Sequence, residues 1–271
     1  MKKLMLMTGI TVVLDNLVTF WITGERFFWN LYLALPLSFE GRRFWFTENF
    51  WTILLSGLFT LAWICLVLGY RFKKSELFMV DKLTLICGIV ELGILTIGFL
   101  IEFNKHYYPI PLYLGEALKQ LFGVAVTEEL IFRGYVSNCF FPYVKNGRTL
   151  LAVAGFSALL FALTHIPFYL YNLPPGTAIP WGELLYSRFA YPFYVGFIFT
   201  LLLYFKKDII LLILLHAGGN LISSLLTGSV ATLCLLIHNI LFLFLIYNIF
   251  RNNHIFSQFS KEKTISENGL K

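Results

Sequence analysis

Apolar residues occur along the chain in long runs separated by short polar stretches. A helix that crosses a bilayer needs about 20 mostly apolar residues, and eight segments approach that length. The stretch at 27–39 is shorter and aromatic, which is typical of a segment at the membrane interface. The pattern therefore predicts an all-α protein, a polytopic bundle of about eight transmembrane helices. The predicted spans are 5–23, 51–70, 83–102, 113–141, 149–165, 189–205, 209–226 and 231–250.

The composition indicates the same fold class and excludes others. Of the 271 residues, 58% are apolar and 13% are charged, against roughly 45–50% and 25% in soluble domains. The net charge of +6 does not predict nucleic-acid binding, because the basic residues are scattered between apolar runs and form no stripe. The four cysteines lie in apolar stretches without close spacing, so we expect neither disulfides nor a cysteine metal site.

The distribution of Lys and Arg predicts the orientation in the membrane. With eight spans and the N-terminus inside, the inside segments hold 14 basic residues and the outside segments hold 5. Positive charge accumulates in cytoplasmic loops, so we expect both termini in the cytoplasm, with a polar tail at 251–271. The first apolar run imitates a signal peptide, but Asp15 and Asn16 interrupt it, which favours a retained helix.

Charged side chains within the predicted spans are informative, because each costs about 2.5–3.5 kcal/mol at bilayer depth. The span 113–141 must therefore face other helices or a wet cavity, since it contains five of them. Glu129 and Arg133 are helical neighbours that can form an ion pair. Glu128 points about 100° away from Glu129 and needs a different partner or water, which suits a general base. The five charged residues are Glu116, Lys119, Glu128, Glu129 and Arg133.

Two further spans carry histidines beside other polar residues. His165 ends the span 149–165, and by itself it is typical of a helix end at the interface. His216 and Asn220 share one helix face, with two glycines between them that allow a helix or a substrate to approach closely. By itself this pair also fits a hydrogen bond between helices.

Three other polar residues within the spans suggest no catalytic role. His238 has no acidic or histidine neighbour at helical spacing, which predicts a packing role, with a hydrogen-bonding role as the alternative. Glu91 could pair with Lys119 or Arg133, or line a cavity. Asp15 could cap a helix or pair locally.

Three short motifs follow one another on successive apolar spans. They read Glu128-Glu129-x-x-x-Arg133, then Phe161-x-x-x-His165, then His216-x-x-x-Asn220. Each motif is weak alone, but the ordered set resembles the CPBP family of CAAX proteases and bacteriocin-processing enzymes, which are integral-membrane endopeptidases. The resemblance implies a catalytic core at 113–226. It assigns no motif to the helices of 1–112, to the last helix at 227–250 or to the tail at 251–271.

The resemblance also implies a role for each residue. Glu128 would be the general base that activates a water, and His165 would help to hold and polarise that water. His216 and Asn220 would form the oxyanion hole when the water attacks a peptide carbonyl. The substrate would be a peptide or protein at the bilayer.

Glu129 and Arg133 would be supporting residues that orient Glu128 through their ion pair.

A role for a metal stays open at this point. The Glu, His, His and Asn side chains could surround a divalent ion such as zinc, although no His-Glu-x-x-His stretch is present. The family has been described both as metal-dependent and as glutamate-based, and we favour the glutamate mechanism with no obligatory metal.

Two other functions also stay open. The same scaffold could carry a non-proteolytic membrane protein, such as a bacteriocin self-immunity factor or a regulator of a membrane partner. Intramembrane Glu, Arg and His also mark ion pathways, but no repeat halves indicate a transporter.

One geometric expectation conflicts with the catalytic interpretation. Counted from the inner ends of the predicted helices, Glu128 and His165 lie roughly 20 and 24 Å deep, and His216 only about 10 Å. The catalytic interpretation requires these residues to approach within about 6–8 Å of one another.

Overall fold

The computed structural model describes residues 2–24, 50–73, 77–103, 110–171 and 178–252. In these ranges the chain forms eight helical segments and no strand, which confirms the predicted all-α bundle. The predicted interfacial stretch at 27–39 and nearly all of the predicted tail lie outside the described residues.

Each predicted span corresponds to one helical segment. The segment α6 begins earlier than the predicted start at 189, because a short turn and a π-helical stretch precede its main helix. The segments are α1, Lys2–Gly24; α2, Phe50–Ala62 with a π-helical end Trp63–Val67; α3, Lys82–Phe103; α4, 110–143; α5, Gly147–Tyr171; α6, Trp181–Glu183, Leu184–Ala190 and Tyr191–Lys206; α7, Ile209–Leu225; and α8, Gly228–Asn252.

Four helices are long and apolar enough to cross a membrane, counted over the part of the chain that the structure describes. They are Lys82–Ile101, Gly147–Pro167, Trp181–Lys206 and Gly228–Asn248, and shorter apolar helices lie at Leu4–Leu17, Gly57–Val67 and Ile209–Leu225. The outer faces of α3 and α8 expose large apolar side chains, among them Ile89 and Leu243. Such apolar faces suit contact with lipid.

The segment α4 lies at the centre of the bundle. Every residue from Ile131 to Ser137 is buried, and Phe132 and Val136 pack against Ile64 of α2. Its α-helical and π-helical stretches alternate along one continuous helical path. These are Ile110–Leu118, the π-helical Lys119–Val126, Thr127–Glu129, the π-helical Leu130–Ser137, Asn138–Phe140 and a final 3₁₀ turn, Phe141–Tyr143.

Three buried hydroxyls fix the relative level of α4, α5 and α6. The Ser137 Oγ lies 2.7 Å from the Ser157 Oγ and 3.2 Å from the Thr200 Oγ1. The antiparallel helices α4 and α5 carry Glu128 and His165 away from this contact by similar lengths, roughly 12–14 Å at 1.5 Å per residue. Glu128 and His165 therefore reach the same level in the bundle.

The start of α7 is fixed at a level that brings His216 to the same height. Asp208 caps this helix, because its Oδ1 accepts the backbone N–H groups of Ile210 and Leu211. Gly134 of α4 lies beside Ile209, and α4 continues past this point to Tyr143. The expected mismatch in depth was wrong, because the helices do not end at a common level.

Candidate active site

The adjacent glutamates of α4 have different surroundings. They lie on the α-helical turn Thr127–Glu129, which is flanked by π-helical stretches on both sides. Such π-helical insertions are frequent at functional sites. The Glu129 side chain has no exposed surface, whereas that of Glu128 is 26% exposed. One carboxylate is thus enclosed by protein, and the other is reachable from outside.

Glu129 connects Arg133 to the histidine of α7. Its Oε1 lies 3.2 Å from the Arg133 Nη1 and 2.7 Å from the His216 Nδ1. The ion pair expected from helical spacing is present, and both of its side chains are completely buried. Because an ionised carboxylate only accepts hydrogen bonds, the Nδ1 of His216 carries a proton and donates it to Glu129.

The other ring nitrogen of His216 lies near Glu128. Its Nε2 is 3.8 Å from the Glu128 Oε2, which is within ion-pair range and long for a direct hydrogen bond. A water at about 2.8 Å from both atoms would lie beside the line that joins them. The Glu128 Oε2 is buried and has no hydrogen-bond partner among the described residues, so a water that bridged these two atoms would supply the partner that it lacks.

His165 is oriented by its own helix. Its Nδ1 lies 2.9 Å from the backbone oxygen of Phe161 and 3.4 Å from the hydroxyl of Thr164. A backbone carbonyl only accepts, so Nδ1–H donates to it and the Nε2 is left for another partner. His165 and His216 line the same cavity, so this Nε2 is available to a molecule bound there.

Phe161 has two functions that the sequence left unassigned. Its carbonyl orients His165, and its ring centroid lies 4.2 Å from the Arg133 guanidinium. Phe199 approaches the same guanidinium at 5.4 Å. Two nitrogens of Arg133 have no hydrogen-bond partner among the described residues, so cation–π contacts with these rings contribute to holding the buried charge. The sequence feature that could have indicated these two roles is the position of Phe161, one helical turn before His165.

A cavity of about 200 Å³ brings together three of the four residues predicted to be catalytic. His165, His216 and Asn220 line it, together with residues of α6 and α8. Glu128 is not part of this lining and adjoins it through His216. The Asn220 amide makes no hydrogen bond within the described ranges, so it is available to a bound molecule.

Asp15 lies near the other side of Glu128. Its Oδ1 accepts a hydrogen bond from the Thr60 hydroxyl of α2 at 2.6 Å, and the charge of Glu128 acts on it. This bond joins α1 to α2, and the local cap or pair expected for Asp15 stays a prediction.

A second acid–histidine pair was not predicted. The Glu91 Oε1 of α3 lies 2.6 Å from the His238 Nδ1 of α8. The expected pairing of Glu91 with Lys119 or Arg133 was wrong, because both cations bind glutamates of α4. The packing role expected for His238 was incomplete for the same reason. No spacing rule could find a pair that joins two helices so far apart in the chain.

The donor types at this site include those of zinc, which binds two histidines and a carboxylate in many hydrolases. However, no three His, Cys, Asp or Glu side chains in the described ranges lie close enough together to hold a metal ion. The Nδ1 atoms of His165 and His216 are hydrogen-bonded, which leaves each Nε2 as the nitrogen that a metal would use, but the side chains do not converge on one point. The residues as placed do not form a metal site, and no catalytic step is assigned to a metal.

Comparison with known proteins finds a family model that these residues match. Residues 111–222 match the family model described as type II CAAX prenyl endopeptidase Rce1-like. No curated protein and no solved structure matches the chain. The matched stretch runs from α4 into α7 and includes all three motifs. The chain is an integral membrane protein, and its residues 111–222 are similar to Rce1-like domains, a match that is consistent with the CPBP family.

Proposed function

We propose that this protein is an intramembrane endopeptidase that hydrolyses a peptide bond in a membrane-associated peptide or protein, with Glu128 as the general base. The observation that carries the proposal is the placement of His216 between two carboxylates. Its Nε2 lies 3.8 Å from Glu128, and its Nδ1 lies 2.7 Å from Glu129. A water at this point would be beside a base and beside the cavity that receives the peptide.

The first step is attack of water on the peptide carbonyl. Glu128 takes a proton from the water, whose oxygen forms a bond to the carbonyl carbon while the carbonyl π electrons move to oxygen. His165, with its Nδ1 bound to a carbonyl, has an Nε2 that accepts the second water hydrogen and orients the attack. A placed general base contributes a factor of roughly 10²–10⁴ in rate.

The developing oxyanion needs hydrogen-bond donors. Asn220 supplies an amide N–H, and His216 supplies Nε2–H when its ring is protonated. Glu128 and Glu129 together carry one more negative charge than Arg133 neutralises, so an imidazolium at His216 brings these four groups to neutrality. Neutrality is favoured in surroundings this poorly solvated. One such donor contributes roughly 10²–10³ in rate.

The second step breaks the amide bond. Glu128 returns its proton to the nitrogen of the scissile bond, the C–N bond breaks, and the oxyanion electrons restore the carbonyl. The products are a carboxylic acid and a free amine. Glu129 and Arg133 hold His216 in place throughout, because their ion pair fixes the ring through Nδ1.

The proposal also includes the orientation of the protein in the membrane. The excess of Lys and Arg in the segments on the N-terminal side of the membrane supports termini in the cytoplasm. The substrate would then be a lipid-anchored or membrane-inserted peptide that enters the cavity between α5, α6, α7 and α8.

The test compares Glu128→Gln with a matched variant, Glu116→Gln. Glu116 is on the same segment and pairs with Lys119 away from the cavity. Each protein is reconstituted in liposomes with a farnesylated peptide ending in a CAAX sequence, or with a single-span peptide, and the products are identified by mass spectrometry. We expect cleavage by the wild type and by Glu116→Gln, and a rate about 10²–10⁴ lower for Glu128→Gln.

Two results would overturn the proposal. Cleavage by Glu128→Gln at the wild-type rate would remove Glu128 from the mechanism. Binding of both peptides by the wild type without any cleavage would favour a non-proteolytic membrane protein on the same scaffold.

A further inference from the structure

The Glu91–His238 pair connects α3 to α8 beside the cavity. The Glu91 and His238 residues are 3% and 7% exposed, and their hydrogen bond measures 2.6 Å. His238 lines the cavity together with His216 and Asn220. None of the three family motifs includes either member of the pair, and the proposed mechanism does not use them.

The two glycines between His216 and Asn220 accommodate this pair. A Cβ at Gly218 would collide with the Glu91 Oε2, and a Cβ at Gly219 would lie 3.2 Å from the His238 Nε2. Nε2 is the heavy atom closest to that position, and Gly219 also lines the cavity. The missing side chains therefore leave the second ring nitrogen of His238 uncovered at the cavity wall.

The protonation state of the pair determines whether the Nε2 of His238 is a hydrogen-bond donor or an acceptor. The pair is buried in apolar surroundings, where a net charge of zero is favoured. Zero net charge has two forms, an ionised Glu91 with a protonated His238, or a protonated Glu91 with a neutral His238 whose proton is on Nε2. Nε2 carries a hydrogen in both forms. It is a donor, and it has no acceptor among the described residues.

We propose that His238, held by Glu91, is a further substrate-binding residue whose Nε2–H donates a hydrogen bond to a backbone carbonyl oxygen of the peptide in the cavity. This inference rests on the proposed function, because it takes a peptide as the bound molecule. Glu91 is a positioning residue that sets the ring orientation and its proton. The pair acts at a carbonyl other than the scissile one, whose oxyanion is bound by Asn220 and His216.

The experiment measures peptide binding and turnover separately. The Kd of a fluorescent farnesylated CAAX peptide is measured in lipid nanodiscs with the Glu128→Gln protein, with and without His238→Phe, which keeps a ring and removes the donor. KM and kcat are measured with otherwise wild-type protein. Loss of one neutral hydrogen bond predicts Kd and KM raised about threefold to tenfold, with a smaller change in kcat.

Two further variants keep the test informative if His238→Phe folds poorly. His238→Gln keeps an N–H donor. It should restore Kd to within about twofold of the parent, because its side-chain amide can still donate a hydrogen bond to the peptide carbonyl. Gly219→Ala leaves the pair intact and covers Nε2 with a methyl group, so it should raise Kd as His238→Phe does. Asn248→Leu on α8 is the control and should leave Kd unchanged, because the described hydrogen bond of Asn248 is to its own helix.

The outcomes separate this inference from the proposed function. Wild-type cleavage with unchanged Kd and KM in His238→Phe would overturn the binding role alone. Binding that depends on His238 without any cleavage by the wild type would overturn the catalytic mechanism and retain the peptide-binding role. Absence of both binding and cleavage would overturn both.

Discussion

Glu129 and His216 are joined by a 2.7 Å hydrogen bond between Oε1 and Nδ1, although 87 positions separate them in the chain. The same oxygen accepts from Arg133 at 3.2 Å. The resemblance to the CPBP family implied that the Glu129–Arg133 pair orients Glu128. The described contacts join the pair to His216, whose other ring nitrogen lies 3.8 Å from Glu128.

The buried charge of Glu129 makes a strong prediction for stability. In Glu129→Gln the neutral side chain still accepts from His216 but leaves Arg133 buried without the counter-charge to which it is hydrogen-bonded. Removing one partner of a buried pair is expected to lower the free energy of unfolding by about 3–5 kcal/mol. Thermal or denaturant unfolding in detergent measures this loss.

The control for this prediction is Glu116→Gln. Glu116 and Lys119 form an ion pair whose side chains are 16% and 19% exposed, so solvent screens their attraction. Its removal should change stability by less than about 1 kcal/mol. Equal losses of unfolding free energy in the two variants would show that burial of the Glu129–Arg133 pair does not increase its contribution to stability.

The ring of Phe161 is expected to stabilise the Arg133 charge. Phe161→Leu keeps an apolar side chain and the carbonyl that orients His165, but it removes the aromatic face at 4.2 Å from the guanidinium. The matched variant is Phe140→Leu on α4, whose ring is 4% exposed against 2% for Phe161 and packs edge-on against Phe156. The stability loss of Phe161→Leu should exceed that of Phe140→Leu by about 0.5–2 kcal/mol. Unfolding of the two proteins side by side tests this, and equal losses would contradict it.

The length of apolar runs was enough to predict the helices of this fold. All eight predicted spans have a helix, because a bilayer or a buried bundle demands continuous apolar helices of known length. The position of α4 in the centre also followed from its five charges, which could not face lipid. The Glu129–Arg133 pair was predictable because both residues are on one helix face.

Contacts between distant helices were not predictable from the same patterns. The Glu91–His238 bond depends on which faces of α3 and α8 meet, and apolar periodicity in a helix that is hydrophobic all round does not specify a face. The π-helical stretches of α4 leave no mark in composition. The predicted depth of His216 was wrong because the helix ends were assumed to align, whereas α4 extends past the start of α7.

Asp81, in the loop before α3, pairs with Lys206 at the end of α6 and gives a dependence of stability on pH. Burial acts to raise the pKa of Asp81, but hydrogen bonds from Thr84 and Lys206 and the charge of Lys206 outweigh it and hold this pKa below its ordinary value of 3.8. A carboxyl with a lowered pKa in the folded state stabilises the protein above its unfolded pKa. That contribution is lost as the pH falls through the folded pKa.

The comparison of wild type with Asp81→Asn tests this dependence. The wild type should be the more stable protein at pH 7, and the difference should shrink below about pH 4. The Lys206 Nζ lies 3.0 Å from the Asp81 Oδ2, so Lys206→Met should reduce the same difference. A stability gap between wild type and Asp81→Asn that stays constant from pH 7 to pH 3 would contradict the assignment.

Gly218 should be intolerant of even one added carbon. In Gly218→Ala the new Cβ collides with the carboxylate of Glu91, which must shift while its other oxygen is held in a 2.6 Å bond to His238. Overpacking of this kind costs about 1–3 kcal/mol. Gly155→Ala is the matched control, because nothing lies within 4 Å of a Cβ at that helical position, and it should be neutral or slightly stabilising, since Ala favours helix over Gly.

A double-mutant cycle identifies the cause of the Gly218→Ala loss. Glu91→Ala removes the carboxylate that the methyl group meets, so in that background the added methyl group should cost little. The coupling between the two substitutions should then approach the whole penalty of Gly218→Ala measured alone. Additive losses would mean that the glycine is required by another contact of α7, and the fit between the Gly218-Gly219 pair and the Glu91–His238 pair would no longer explain why two glycines lie between His216 and Asn220.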